Sequence, residues 1–133
     1  MTDSALDDFQ VISLYTRQDA IEDGQQFLAS GELAKIVVEV GYRYPLYYTN
    51  SVKSLIDRAV ANPKHMNEFN GVFFDLMYMS RRNAVALSES RSKFQCIITG
   101  VGRKRTHEFY IEIGAVDCDN PAPCLTLMMV EDL

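Results

Sequence analysis

Four of the seven tyrosines in this 133-residue chain fall within seven residues, Tyr42-Arg43-Tyr44-Pro45-Leu46-Tyr47-Tyr48. Tyrosine and arginine bury large area with few frozen torsions and keep a polar tip, which is the chemistry of interaction hot spots. Tyr42, Arg43, Tyr44, Tyr47 and Tyr48 are therefore the candidate partner-binding residues. The competing reading is that these rings pack a connection between two helices and cap the edge of the core. Asp75 is the second candidate, because it stands between Phe74 and Leu76 in an otherwise apolar helical pattern. A carboxylate there is costly unless paired or hydrogen-bonded. Arg43, Arg81 and Arg82 are available as partners, and Arg17, Asp75 and Arg81 form a candidate buried polar network.

Other reactive residue types are present without the company that catalysis needs. His65 sits in a polar linker beside Lys64, and His107 starts a strand after a basic turn. Neither lies near a nucleophile in a recognisable motif. Gly100-Val101-Gly102 lacks the strand–loop–helix setting and the Lys-Ser/Thr of a phosphate loop. The following Arg103-Lys104-Arg105 is either a grip for an anion or acidic partner or a solvated hairpin tip. Glu22 with Asp23, and Asp117 with Asp119 around Cys118, do not supply the six or more oxygens that Ca²⁺ requires. The three cysteines, Cys96, Cys118 and Cys124, are an odd number and point to a reducing compartment, hence the cytoplasm. A bridge between Cys118 and Cys124 is geometrically open across Asp-Asn-Pro-Ala-Pro. With two histidines at unrelated positions, no zinc site is expected. The expectation is no catalytic residue, no metal and no cofactor.

The elements that must position these residues follow from period and punctuation. Residues 1–8 are polar and acidic and are expected to fray. Residues 9–15 (FQVISLY) have the composition of a short strand. Thr16 with Asp19 is a weak capping box, and Gly24 closes the short helix that it opens. Ser30 can cap a second helix carrying Leu33, Ile36, Val37 and Val40, although its β-branched residues argue the other way. Thr49 caps a third, in which Val52, Leu55, Ile56, Ala59 and Val60 form one apolar stripe before Asn62-Pro63. Residues 63–70 are a polar connection, and residues 71–87 read as a longer buried helix. The period then changes to two: Phe94, Cys96 and Ile98, then Phe109, Ile111 and Ile113, then Leu125, Leu127 and Met129. The predicted fold is α+β, a single domain over residues 1–133. Three to four N-terminal helices pack on a C-terminal antiparallel meander of about three strands, with residues 9–15 available to extend it.

Composition narrows the function class. Thirteen Lys and Arg against eighteen Asp and Glu leave a net charge of −5. That balance disfavours direct non-specific binding to nucleic acid and favours association with a basic surface. The apolar runs fall far short of the ~20 residues that a membrane helix needs, so no membrane association is expected.

Tyr15-Thr16-Arg17, Ala20-Ile21-Glu22-Asp23-Gly24 and Gly41-Tyr42-Arg43-Tyr44-Pro45 with Thr49 carry a resemblance. So do Phe74-Asp75-Leu76 with Met79, and a closing Leu125-Thr126-Leu127 followed by acidic residues. On these residues the chain resembles an uncharacterised family of small proteins borne by plasmids, phages and other mobile elements. It departs from that pattern in lacking tryptophan and in its tyrosine-rich residues 46–48. The resemblance implies a setting and no catalytic residue. In that setting the leading expectation is a non-enzymatic, protein-binding accessory protein of a phage or mobile element. It would inhibit a host defence complex, of anti-CRISPR or anti-restriction type, by occluding it through an acidic and tyrosine-rich surface. Its partner would be a host protein or complex with a basic surface. The alternative is a small enzyme or nucleotide-ligand-binding protein with a pocket around Asp75, Arg17 and Arg43. A third reading is a homo-oligomer joined through the tyrosine segment or a strand edge.

Overall fold

The computed structural model describes residues 15–133. The frayed end at residues 1–8 and nearly all of the strand read into residues 9–15 lie outside the described residues. The first helix, α1 (Arg17–Glu22), starts at the expected box: the Thr16 hydroxyl accepts the Asp19 N–H at 3.0 Å, and the Asp19 carboxylate accepts the Thr16 N–H at 3.2 Å. There follow β1 (Gln26–Leu28), α2 (Glu32–Glu39), β2 (Leu46–Thr49), α3 (Asn50–Ala61) and α4 (Phe69–Arg82). The chain continues through β3 (Val85–Ala86), β4 (Arg91–Ile97), β5 (Thr106–Asp117) and β6 (Asn120–Met128), and ends in a 3₁₀ turn at Val130–Asp132.

The class is α+β, but the expected arrangement of helices first and sheet last is wrong. The sheet has six strands in the order β1-β2-β6-β5-β4-β3, and it is mixed because β2 runs parallel to β6. β4, β5 and β6 do form an antiparallel meander among themselves, but β1 and β2 are threaded between the early helices and extend the sheet beyond β6. Tyr47 and Tyr48 therefore belong to a strand rather than to a connection between helices. The long helix also stops at Arg82, and Val85–Ala86 forms a two-residue strand against Ser92 and Lys93 instead of a last helical turn. α2 forms despite its β-branched residues, since Val37 is buried and Leu33, Ile36 and Val40 pack beside the core.

Strand parity decides which side chains face the helices. Leu46, Tyr48, Phe94, Cys96, Phe109, Ile111, Leu125 and Leu127 join Val52, Leu55 and Ile56 of α3 and Phe73, Leu76 and Met77 of α4 in one core. Tyr48 is an anchor of this core, with its ring 5.5 Å from that of Phe27 and 5.7 Å from that of Phe73. Each large side chain so removed from water is worth about 1.5–3 kcal/mol of transfer free energy, which is what holds the two layers together. The alternate residues face the other way: Arg91, Lys93, Glu108, Tyr110 and Glu112, with Tyr47 and Thr126 in register. There Arg91 is paired with Glu112 at 2.7 Å, and α1 lies over the β1–β2–β6 side.

Candidate functional site

The loop between α2 and β2 folds into an open cleft of about 530 Å³ against the C-terminal turn of α4 and the ends of β4 and β5. Gly41 makes the turn possible, with φ at 110°, a region that L side chains rarely adopt. Its amide and that of Tyr42 return to the carbonyls of Val38 and Val37. At the far end of the loop the Pro45 carbonyl accepts the Leu125 N–H at 2.8 Å, which pins the loop to β6.

Inside the cleft, proton accounting fixes the orientation of one tyrosine. The Ser80 hydroxyl spends its single hydrogen on the Met77 carbonyl at 2.6 Å. Hence the Tyr42 hydroxyl is the donor in its 2.8 Å bond to Ser80 Oγ. Burial pushes the Tyr42 phenol above its ordinary pKa, against smaller opposing effects from Ser80 and the Arg81 charge. The ring thus locked carries the Arg81 guanidinium, whose carbon lies 5.2 Å from the ring centroid. The opposite constraint is Gly41, where a Cβ would stand 3.2 Å from Arg81 Nη2. Among the described residues, no carboxylate pairs with Arg81 or with Arg43, which also lines the cleft. Tyr44 stands at the rim and is 40% exposed. Glu112 at the cleft wall is already engaged by two nitrogens of Arg91.

The remaining candidates are dispersed. Arg17 buckles α1 to the reverse face of the sheet. Its Nε donates to the Val116 carbonyl at 2.6 Å, Nη1 to Gln26 Oε1 at 2.7 Å and Nη2 to Thr126 Oγ1 at 3.0 Å. Its guanidinium also lies 4.3 Å from the Tyr47 ring centroid. Tyr47 is thus a platform for Arg17, and Tyr48 is a core residue. Asp75 lies exposed on α4, on the helix side of the sheet, with its pKa raised by desolvation. Arg17, Asp75 and Arg81 thus line three separate concavities, and of the three only Arg81 shares one with Arg43. What the structure does bring together is Tyr42, Arg43, Tyr44 and Arg81.

Charge is segregated along the sheet. The β5–β6 turn carries Asp117 and Asp119 next to α1 with its Asp19, Glu22 and Asp23. Both Asp117 oxygens are occupied by the N–H groups of Arg17, Gln18 and Cys118. The other end of β5, twelve residues away, carries Arg103, Lys104 and Arg105, all exposed. His107 lies beside this basic turn. Burial, with Lys104 and Arg58 nearby, lowers its pKa, and its Nε2 is buried without a partner among the described residues. The tyrosine loop is at the acidic end, since Leu46 and Leu125 are in register and Leu125 pairs with Ile113, four residues before Asp117. The three cysteines are unbridged: Cys96 and Cys124 are buried and Cys118 is exposed.

Sequence reading did not identify Gly41, Ser80, Ser90 and Ser92 as site residues. Gly41 stands in the sequence only as the residue before the tyrosine run, and Ser80 only as a position inside the segment 71–87 read as a buried helix. A hydroxyl in that helix was the available signal, because a buried serine needs a partner. Among the described residues no helix is long and apolar enough to cross a membrane. Comparison with curated proteins and with solved structures finds no match. A family profile does match, over residues 3–133, and on that match the chain belongs to a family of unknown function, DUF6573.

Proposed function

We propose that this protein is a binding protein of the cytoplasm that acts by occupying a partner, in the service of a phage or other mobile element. The observation that carries the reading is the Tyr42–Tyr44 loop, in which Tyr44 and Arg43 are exposed at the rim of an open cleft while Tyr42 is locked behind them. Exposed tyrosine and arginine on a rigid support give contact area at small entropic cost. The acidic turn at the same end of the sheet would steer a basic partner toward this rim. A host defence complex that handles nucleic acid presents such a basic surface, and occluding it needs no chemistry.

The experiment is affinity capture from a host-cell lysate at low and moderate salt, comparing the wild type with two double variants. Arg43→Ala with Tyr44→Ala removes the rim. Arg103→Ala with Met66→Ala removes one exposed cation and one exposed large side chain at the opposite end, where Asn67, next to Met66, donates to the Thr99 carbonyl. The reading expects one protein retained by the wild type and the second variant, lost with the first, and weakened by salt. Equal retention by all three removes the cleft from the account.

A further inference from the structure

We infer that the cleft also seats a phosphate group, held between the Arg81 and Arg43 guanidinium ions, so that the protein binds a small phosphate-bearing ligand. This goes beyond the protein-binding reading and stands without it, because a small ligand in the cleft leaves Tyr44 at the rim.

Arg81 is the seat. Its guanidinium lies over the Tyr42 ring on one side and close against Gly41 on the other, and Tyr42 is itself fixed through Ser80. A guanidinium flanked this way presents a planar, pre-organised fork, and its five N–H donors have no carboxylate partner among the described residues. Stacked, unpaired arginine is a pre-organised receptor for oxyanions, because its planar fork matches two oxygens at once. Two other arginines also lie over tyrosine rings, Arg82 on Tyr78 outside this cleft and Arg17 on Tyr47. Arg17, over Tyr47, spends every nitrogen of its fork on Val116, Gln26 and Thr126. Arg17 is built into the fold, whereas the Arg81 fork faces the cleft without a carboxylate partner among the described residues.

The surrounding groups favour phosphate over carboxylate. Arg43 supplies a second cation, and Ser90 and Ser92 bring hydroxyls to the same wall. Two guanidinium ions and two hydroxyls serve three or four oxygens better than two. The acidic residues of the lining are Glu89 and Glu112, and Glu112 is neutralised by Arg91. The cleft therefore carries a net positive charge of one (Arg43 and Arg81 against Glu89) in a chain whose total is −5. Its volume of about 530 Å³ is in the range of small-ligand sites and larger than a bare phosphate needs. Inorganic phosphate and a phosphate monoester are thus the two sources of the same chemistry.

The test is calorimetric titration of the whole protein at low salt with three probes: inorganic phosphate, adenosine monophosphate and acetate. The proposal expects phosphate or the monophosphate to bind with Kd at or below about 1 mM, and acetate to bind at least tenfold more weakly. The monophosphate binding more tightly than inorganic phosphate identifies an ester as the ligand, and equal affinity identifies the free ion. Arg81→Lys keeps the charge and removes the fork, and it should weaken phosphate at least tenfold; Arg43→Ala should do the same. Arg103→Ala, on the distant basic turn, should change nothing. Because Arg81 is exposed, thermal unfolding of Arg81→Lys should match the wild type, which separates loss of binding from loss of fold. Binding too weak to detect at 10 mM, equal binding of acetate, wild-type affinity in Arg81→Lys, or loss in Arg103→Ala would each overturn the phosphate seat. None of these outcomes depends on whether a protein partner is captured.

Discussion

Replacing Arg17 by alanine should cost the fold about 3 kcal/mol. The figure is built from contacts. Three side-chain hydrogen bonds run from the guanidinium to Val116, Gln26 and Thr126, at 2.6, 2.7 and 3.0 Å. Hydrogen bonds to charged groups contribute about 1.5–3 kcal/mol when buried, but this site is only part-buried and its partners regain water on truncation. About 0.8 kcal/mol each is the appropriate discount, and the stacking on Tyr47 at 4.3 Å adds about 0.5–1 kcal/mol. For a domain of this size the loss corresponds to a fall in Tm of about 10 °C. Urea unfolding followed by circular dichroism measures it, with an unchanged slope confirming that the folded state is the same. Arg17→Lys should recover no more than about 1 kcal/mol, because a point charge cannot serve three acceptors in a fork. If Arg17→Ala stays within about 0.5 kcal/mol of the wild type, or if the lysine variant matches it, the buckle does not hold α1 to the sheet and the reasoning fails.

Further outcomes follow from the same geometry. Burial alone would raise the Asp117 carboxyl, but the N–H groups of Gln18, Cys118 and Arg17 and the Arg17 charge hold it below the ordinary carboxylate value. A depressed carboxyl contributes stability above its unfolded pKa and loses it as pH falls through the folded one. The Tm advantage of wild type over Asp117→Asn should therefore be full at neutral pH and be lost as pH falls below the ordinary carboxylate range; a gap that stays constant from neutral pH into strong acid sinks the assignment. Burial and the nearby Asp75 charge push the Cys96 thiol up to about 11, and burial raises Cys124, whereas Cys118 is exposed. Native alkylation should thus label Cys118 alone, with all three reacting after denaturation, and equal native labelling of Cys96 or Cys124 would contradict this burial. Gly41→Ala forces a side chain onto a φ of 110° and into the Arg81 guanidinium. It should lower stability by about 1–3 kcal/mol, and an unchanged Tm would mean that the loop tolerates another path.

What was legible in the sequence was local. Thr16 and Asp19 cap α1 as their spacing implies, and Thr49 caps α3, whose Val52, Leu55, Ile56 and Ala59 are all buried. The alternation in β4, β5 and β6 correctly sorts Phe94, Cys96, Phe109, Ile111, Leu125 and Leu127 to the core side. The parallel pairing of β2 with β6 was not legible, because it joins residues about eighty apart through a four-residue strand with no periodicity of its own. Pro45 before that strand and the helix cap at its end disguise it as a loop. Pro123 misled in a similar way. It reads as part of a turn, yet it lies within β6, paired with Ala115. The Leu125 amide points to the β2 side, and two residues earlier Pro123 faces the same way, beyond the start of β2. There a missing N–H costs the ladder nothing. For the candidate site, the tyrosine run was visible but its division was not. The pleat sends Tyr47 to the reverse face and Tyr48 to the core, and only the residues before Pro45 reach the cleft. Net charge also concealed something, since a chain of −5 still carries the exposed Arg103-Lys104-Arg105 turn at one end of β5 and Asp117 with Asp119 at the other.

If the Tyr42–Tyr44 cleft is where this protein meets its partner, affinity measured on matched variants will depend on it. Once a partner is captured, its Kd should be determined for the wild type, for Arg43→Ala with Tyr44→Ala, and for Arg103→Ala with Met66→Ala. The cleft variant should lose at least tenfold in affinity, equivalent to about 1.4 kcal/mol or more, and the other less than twofold. A cleft variant that binds like the wild type, or an opposite-end variant that loses the partner, would contradict that role of the cleft.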